Sequence, residues 1–530
     1  MPRNTYKKIG IATAIMMVSI FLSRVIGFVR EMVIAAVAGA NADVDAYRVA
    51  FVLPEILNHV LASGFLSVTF IPIFAKYLAN DDEAGAWNIF SIILTTFGGF
   101  LAMLVILTMV CSPQIVPLLA LGRQNPEFLE TAVRMTRIIL PAQLFFFAGG
   151  LLMAVQFAKE QFWIPALAPL IYNLGIICGG LLLGPRIGVE GFCWGALAGA
   201  FIGNFLVQIA GALKVGLRYR PQFNLSHRQL RRYFMLTLPL MLGLTMVFSM
   251  EIFSKFFGSY LPDGGIAWLD FAKNIMMMLV GFFGQALGVA AFPYMARMAA
   301  EKRWDEMNQM FNTLLRHLAT LVIPTSIMMY VLRNEIVRVL FERGDFLPKD
   351  TQMTAIALSG MLVGAVAIAA MTVVNRGFYA TQNTLLPAVY GTIAVVVSLP
   401  VYWIGLRMYG LVGVSLAISI SAIIQVFVLF AAWNRRSHNT QSVVVYTTYI
   451  KSALAGAPLG AILWMLHRLL VHRIDPATFH GSIIVICSVF LLFIGLMALG
   501  GWIFKVEGIR YVANQLIRRL GSITNPQPKP

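Results

Sequence analysis

Apolar runs of about twenty residues follow one another along the whole chain, separated by short polar connections. A helix rises 1.5 Å per residue, so each run is long enough to cross a hydrocarbon core roughly 30 Å thick. About fourteen such runs can be drawn, the first centred near Ser19 and the last near Leu491. Strands of a membrane barrel would be about 10 residues long and would alternate strictly, which these runs do not. The pattern predicts an all-α polytopic membrane protein of about fourteen transmembrane helices.

Composition agrees. Of 530 residues, 59% are hydrophobic and 12% charged, with a mean hydropathy of +0.79; soluble domains have about 45–50% and about 25%. The formal charge of +17 would suit a nucleic-acid partner, but its placement argues for topology and against nucleic acid, because Lys and Arg collect in cytoplasmic loops. Arg3, Lys7 and Lys8 precede the first run, six Lys and Arg lie from Lys214 to Arg232, and none lies from Phe256 to Ala267. Both termini are therefore expected on the cytoplasmic side of a bacterial inner membrane. The connection from Arg333 to Asp350, expected outside, balances its four cations with Glu335, Glu342, Asp345 and Asp350. Lys7 and Lys8 before Ile9–Leu22 imitate a signal peptide, but Arg24, Arg30 and Glu31 interrupt the apolar region, which favours a retained first helix.

The chain repeats itself at an offset of 221 to 222 residues. Phe70-Ile71-Pro72 aligns with Ala291-Phe292-Pro293, Phe157 and Gln161 with Phe378 and Gln382, and Gly188 and Gly191 with Gly410 and Gly413. Six spans return a chain to its starting side, so the halves are expected to be parallel repeats about an axis along the membrane normal. The expected organisation is an N-terminal lobe over 1–216, a basic connection over 217–228, a C-terminal lobe over 229–436, two additional spans over 437–506 and a cytoplasmic tail over 507–530. In the tail, Ile509–Leu520 mixes arginines with apolar residues and suits an anionic membrane surface. Repeat-built transporters hold substrate between halves that rock to give alternating access.

Charges inside a bilayer are costly and point to cavities. The first run, Ile9 to Ala40, is about 48 Å as a helix, and a bend is expected at Gly27. Arg24 and Glu31 are two turns apart on one face, with Arg30 beside them. In the second run, Pro54 should interrupt the helix where Glu55, Asn58 and His59 lie. In the second repeat, Glu251 with Lys255 and Asp270 with Lys273 stand at neutralising helical spacings. Met276-Met277-Met278 is packing, and Asp81-Asp82-Glu83 is a solvated connection. The cysteines, Cys111, Cys178, Cys193 and Cys487, have no metal or disulfide spacing and read as small core residues. No nucleotide or zinc motif is seen, so the expectation is no catalysis and no cofactor, with transport drawing on an ion gradient, the membrane potential or the substrate's own gradient.

Longer motifs carry a family likeness. Leu22-Ser23-Arg24-Val25-Ile26-Gly27-Phe28-Val29-Arg30-Glu31, Asp45-Ala46-Tyr47, Leu53-Pro54 and Phe70-Ile71-Pro72 resemble the first two helices of the MurJ (MviN) lipid II flippases, within the multidrug/oligosaccharidyl-lipid/polysaccharide exporter superfamily. Phe162-Trp163-Ile164-Pro165-Ala166-Leu167-Ala168-Pro169 with Asn173, Leu340–Phe346 and Gly377–Thr384 resemble later motifs. The resemblance implies a fourteen-helix fold, two six-helix lobes around a cationic cavity, and two C-terminal helices lining a groove for a polyprenyl tail. The implied substrate is a lipid-linked glycan, lipid II, flipped to the outer face for peptidoglycan synthesis. Membrane lipids and envelope-synthesis proteins are the implied partners. Arg24 and Arg30 match family arginines, and Glu31 and Asp45 match acids. Departures are Asn58-His59 in place of an arginine pair, Ser63 in place of Glu, and Phe271-Ala272-Lys273-Asn274 in place of Tyr-Ala-Asp-Arg. They keep open another lipid-linked oligosaccharide, or a multidrug-type amphiphile, as cargo. From another class, a non-transporting scaffold for envelope assembly would need none of these charges.

Overall fold

The computed structural model describes residues 3–58, 69–383 and 385–503, with side chains over 14–58, 69–235, 251–383 and 385–500. Every regular element among the described residues is helical. Helix α1 is Arg3–Ala38, α2 Ala42–Ala50, α3 Val52–Leu57, α4 Ile71–Ala79, α5 Glu83–Leu119, α6 Pro126–Ile139, α7 Ala142–Ala158, α8 Trp163–Ile187, α9 Glu190–Gly199 and α10 Val207–Lys214. The second repeat adds α11 Arg228–Gly258, α12 Gly265–Val280, α13 Ala286–Ala300, α14 Trp304–Val331, α15 Arg333–Phe341, α16 Pro348–Leu362, α17 Ala365–Ala380 and α18 Leu385–Ser437. Then follow α19 Ser442–Val471 and α20 Phe479–Ile503. Among the described residues nine helical segments are long and apolar enough to cross a membrane, and α16 with α17, bent by 49°, makes a tenth. The 53-residue α18 turns at Gly410 and so accommodates two of the expected spans. With α1, the 42–79 region and α11, the order is consistent with fourteen.

Local chemistry explains where helices break. Pro54 has no N–H to offer the Ala50 carbonyl, and helical pairing lapses at Phe51, between α2 and α3, upstream of the expected interruption, with Glu55 itself inside α3. The bend expected at Gly27 is not there: α1 runs unbroken through it. One glycine costs a helix only about 1 kcal/mol relative to alanine. A Cβ there would stand 3.7 Å from Asn173 Oδ1, an ordinary contact, so α8 would tolerate a side chain at this position. Helices α8 and α9 touch through glycines: a Cβ on Gly179 would meet Gly195 Cα at 2.4 Å, and one on Gly195 would meet Gly175 O at 2.4 Å. Small residues one turn apart allow this in lipid, where close packing drives association. Asp81-Asp82-Glu83 is exposed, and Asp82 caps α5 by accepting from Gly85 N at 2.8 Å.

Left-handed backbone positions fall in pairs at the repeat offset. Asp81 and Lys302, Glu160 and Gln382, Gly188 and Gly410, and Gly216 and His438 all have positive φ, between 52° and 88°. Gly188 and Gly410 also have similar ψ, −143° and −123°. Both repeats therefore end corresponding helices with the same reversal.

The chain gathers into two compact units. The first holds 1–274, 341–353 and 384–414; the second holds 275–340, 354–383 and 415–530. In the first, Phe70, Phe74, Trp87 and Phe90 form an aromatic core with edge-on packing, such as Phe74 to Trp87 at 5.4 Å. In the second, Phe311 stacks on Trp433 at 5.0 Å, and Met328 and Leu332 pack with Leu463, Val485 and Val489. Of the cysteines, Cys193 is buried, but Cys178 and Cys487 are exposed on helix surfaces and so are not core residues. A thiol is apolar enough to face lipid as readily as core.

Candidate functional site

A polar cavity of about 340 Å³ lies inside the first unit. Helices α1, α2 and α3 and the residue that follows α3 supply Arg30, Glu31, Arg48, Glu55 and Asn58; α7 and α8 supply Gln143 and Tyr172. From the second repeat, α11 supplies Glu251 and Lys255, and α12 supplies Asp270, Lys273 and Asn274. Residues from both repeats thus wall one chamber.

The charges form a continuous chain of ion pairs. Arg30 Nη2 lies 2.7 Å from Glu31 Oε1, and its Nη1 donates to Asn173 Oδ1 at 3.1 Å. Arg48 Nη2 donates to the other Glu31 oxygen at 2.5 Å and its Nε stands 3.6 Å from Asp270. Asp270 also contacts Lys255 closely and stands 3.3 Å from Lys273. Lys273 Nζ donates to both oxygens of Glu251, at 2.7 and 2.6 Å. The pairings expected along the helices are present, Glu251 with Lys255 at 3.4 Å and Asp270 with Lys273 at 3.3 Å. The shorter contacts, however, run between α11 and α12. Aromatic faces support the cations: Arg48 lies 5.2 Å from the Phe271 ring centre and 5.6 Å from that of Tyr47.

Nine sequence-derived candidates, Arg30, Glu31, Glu55, Asn58, Glu251, Lys255, Asp270, Lys273 and Asn274, therefore meet in one place. Three do not. Arg24 is exposed and does not line the chamber, although it shares a helix face with Glu31. His59 lies outside the described residues, as do Ser63 and the tail over 509–520. Asp45 is fully buried in a separate clamp. Its carboxylate accepts from Arg123 Nη1 at 2.7 Å, Gly264 N at 2.9 Å and Ala267 N at 2.8 Å. Arg123 Nη2 also donates to Leu261 O at 3.0 Å. Asp45 thus holds the start of α12 by backbone hydrogen bonds and charge.

Arg48 was not foreseen. The signal was an arginine embedded in the apolar stretch Ala46–Leu53, three residues after Asp45. The cationic cavity implied by resemblance is also corrected: its described lining holds four cations, Arg30, Arg48, Lys255 and Lys273, against four acids, Glu31, Glu55, Glu251 and Asp270. Like charges packed this closely in a low-dielectric site would repel strongly, and alternating signs remove that penalty. No group of three or more His, Cys, Asp or Glu suited to a metal occurs among the described residues.

Known proteins share this fold. The family model described as "Lipid II flippase MurJ" matches residues 34–505. The chain belongs to that family. It is 26% identical over 459 residues to "Probable lipid II flippase MurJ" of Vibrio cholerae serotype O1, covering 84% of this chain and 87% of the relative. With "Lipid II flippase MurJ" of Burkholderia cenocepacia it shares 26% identity over 422 residues, 78% of this chain and 82% of the relative. Among solved structures, "Lipid II flippase MurJ, inward closed conformation" superposes with a TM-score of 0.73 at 22% identity, over 90% of this chain and 97% of that one. An inward-facing multidrug resistance MATE family transporter of the MOP superfamily follows at 0.64 and 14%, over 80% and 98%. At such identities the structures speak for the fold, and the family model for the membership. As a member of the MurJ family, the protein is a multi-pass membrane transporter.

Proposed function

We infer that this protein is a lipid II flippase of the bacterial inner membrane, carrying the polyprenyl-pyrophosphate-linked precursor to the outer face for peptidoglycan synthesis by alternating access. The observation that carries the reading is the chamber: a charged, polar-lined cavity walled by both repeats of a membrane fold. A pyrophosphate headgroup needs such a refuge, because an uncompensated charge in hydrocarbon is strongly unfavourable. Arginine forks on α1 and α2 offer planar donors to phosphate oxygens. The lipid tail stays in the membrane, alongside α19 and α20, whose Leu454, Met465 and Leu491 present apolar surface outward. Both termini lie in the cytoplasm in this reading, and contacts with envelope-synthesis proteins would form on the exposed loops.

The balanced chamber, with Asn58 and Asn274 where the family resemblance implies arginine, favours a second cargo only in detail: another lipid-linked glycan with fewer headgroup anions. Rescue decides. Cells depleted of their own lipid II flippase should grow when this chain is expressed and inserted, and should fail with Arg30→Ala. Failure of the unaltered, correctly inserted protein overturns the lipid II reading, whereas growth with Arg30→Ala removes the chamber from the mechanism and favours a scaffold.

A further inference from the structure

The ammonium of Lys273 has three N–H donors, and three carboxylate oxygens surround it. Glu251 supplies two, at 2.7 and 2.6 Å, and Asp270 Oδ1 the third, at 3.3 Å. Asp270 Oδ1 is an ion-pair partner without a hydrogen bond, so a phosphate oxygen that takes either N–H already engaged must displace Glu251. Asp270 is held on three sides by Arg48, Lys255 and Lys273. Glu251 is held by the two lysines, and its side chain is 28% exposed, against 4% for Glu31 and 5% for Asp270. It is the carboxylate that can leave.

Charge balance sets the consequence. The described lining is formally neutral, so an entering pyrophosphate diester would bring two uncompensated negative charges into a low-dielectric chamber. Once displaced, the Glu251 carboxylate would face Glu55 on α3 and Asp270 on α12, with Lys255 and Lys273 engaged elsewhere; Arg30, Glu31 and Arg48 belong to the wall built by α1 and α2.

Resting on the flippase reading above, we propose that Glu251 is an internal stand-in for the substrate's phosphate: it occupies Lys273 until an anionic headgroup displaces it, and the displaced carboxylate takes up one proton from the aqueous side. The step is an exchange of anions on one ammonium, with one proton added to one carboxylate and no other bond changed. It makes entry of the headgroup proton-linked, and it makes Glu251 a residue that opposes binding while protecting the lysines from any weaker anion. Glu251 is a positioning residue, acting through Lys273.

The test is binding of lipid II to the full-length protein in nanodiscs, at about pH 8 and about pH 6, where a proton-linked association tightens as pH falls. Glu251→Gln should bind roughly tenfold tighter than the unaltered chain at the higher pH and should lose most of the pH response. Glu55→Gln should keep it. In a Lys273→Gln background the gain from Glu251→Gln should vanish, since the competition has lost its object. Should Glu251→Gln prove unstable, Glu251→Asp, whose shorter arm reaches Lys273 less well, should give a smaller gain in the same direction. Unchanged or weaker binding by Glu251→Gln overturns the proposal, as does a gain that persists without Lys273, or a pH response that follows Glu55 instead. If the unaltered chain binds no lipid II at either pH, the flippase reading itself falls.

Discussion

The two walls of the chamber come from equivalent parts of the repeat and each holds two cations and two acids, yet at two equivalent positions their charges are opposite. Arg30 and Glu251 stand 221 residues apart, and Arg48 and Asp270 stand 222 apart, which is the offset of the repeat. Where the first repeat presents a guanidinium, the second presents a carboxylate. Parallel repeats place equivalent positions about one axis, so residues that line the shared chamber in one copy face their own counterparts in the other. Identical charges there would repel; complementary ones join the halves in a neutral network. Both walls hold cations already paired with acids, but those of the first are planar guanidinium forks and those of the second are ammonium groups. In the proposal above, the forks on α1 and α2 bind the headgroup, while Glu251 on α11 and Lys273 on α12 govern its access.

The contrast between the walls is most exposed to attack at Asp270, which contacts three cations, Arg48, Lys255 and Lys273. Asp270→Asn leaves them crowded in a buried site, and removing one partner of a buried ionic cluster costs about 3–5 kcal/mol. The expected outcome is a clear fall in the detergent unfolding temperature and no rescue of flippase-depleted cells. Adding Lys255→Met should restore much of the stability but not transport, because removing both partners of a pair is far milder than removing one. An unchanged unfolding temperature in Asp270→Asn would mean that the network is ornamental.

A smaller effect separates the chamber from the clamp. Asp45→Asn keeps one acceptor for the backbone N–H groups of Gly264 and Ala267 but removes the charge facing Arg123. A charge-assisted hydrogen bond is worth about 1.5–3 kcal/mol, and a loss of that size should appear in thermal unfolding. Lipid II affinity should be unaffected, since Asp45 lies off the chamber. A variant of normal stability that binds lipid II poorly would return Asp45 to the binding site.

How much of this was legible in the chain follows from which interactions are local. Glu251 with Lys255 and Asp270 with Lys273 were visible because helical spacing alone brings them together. A break near Pro54 was visible because proline removes a specific backbone donor. Cross-helix contacts left no such trace: that Lys273 serves Glu251 as well as Asp270, or that Arg48 bridges Glu31 and Asp270, depends on how α1, α2, α11 and α12 pack. Asp45 shows the limit well. An acid near the start of a span reads equally as cavity ligand or helix anchor, and only the nearby N–H groups of Gly264 and Ala267 decide. Arg24 fails for a related reason, since seven residues along α1 align it with Glu31 without saying where the chamber ends.

The smallest expected effect concerns the backbone alone, where the two repeats agree instead of differing. Gly188 and Gly410 adopt the same left-handed reversal, φ 62° and 52°, and a Cβ built on either would meet nothing within 4 Å. Alanine at each position therefore meets no neighbouring atom, and its whole cost is a backbone with positive φ and ψ of −143° or −123° that L-residues rarely adopt, about 1–3 kcal/mol. Because the two turns are equivalent, Gly188→Ala and Gly410→Ala should lower the unfolding temperature by similar amounts, and the double variant by nearly their sum, as distant independent sites do. The side-chain network predicts the opposite behaviour, with strong non-additivity among Arg48, Asp270 and Lys255, which share partners. If the glycine variants instead differed widely, the duplication would have preserved the angle without preserving its energetic role, and the symmetry of the two repeats would be one of shape only.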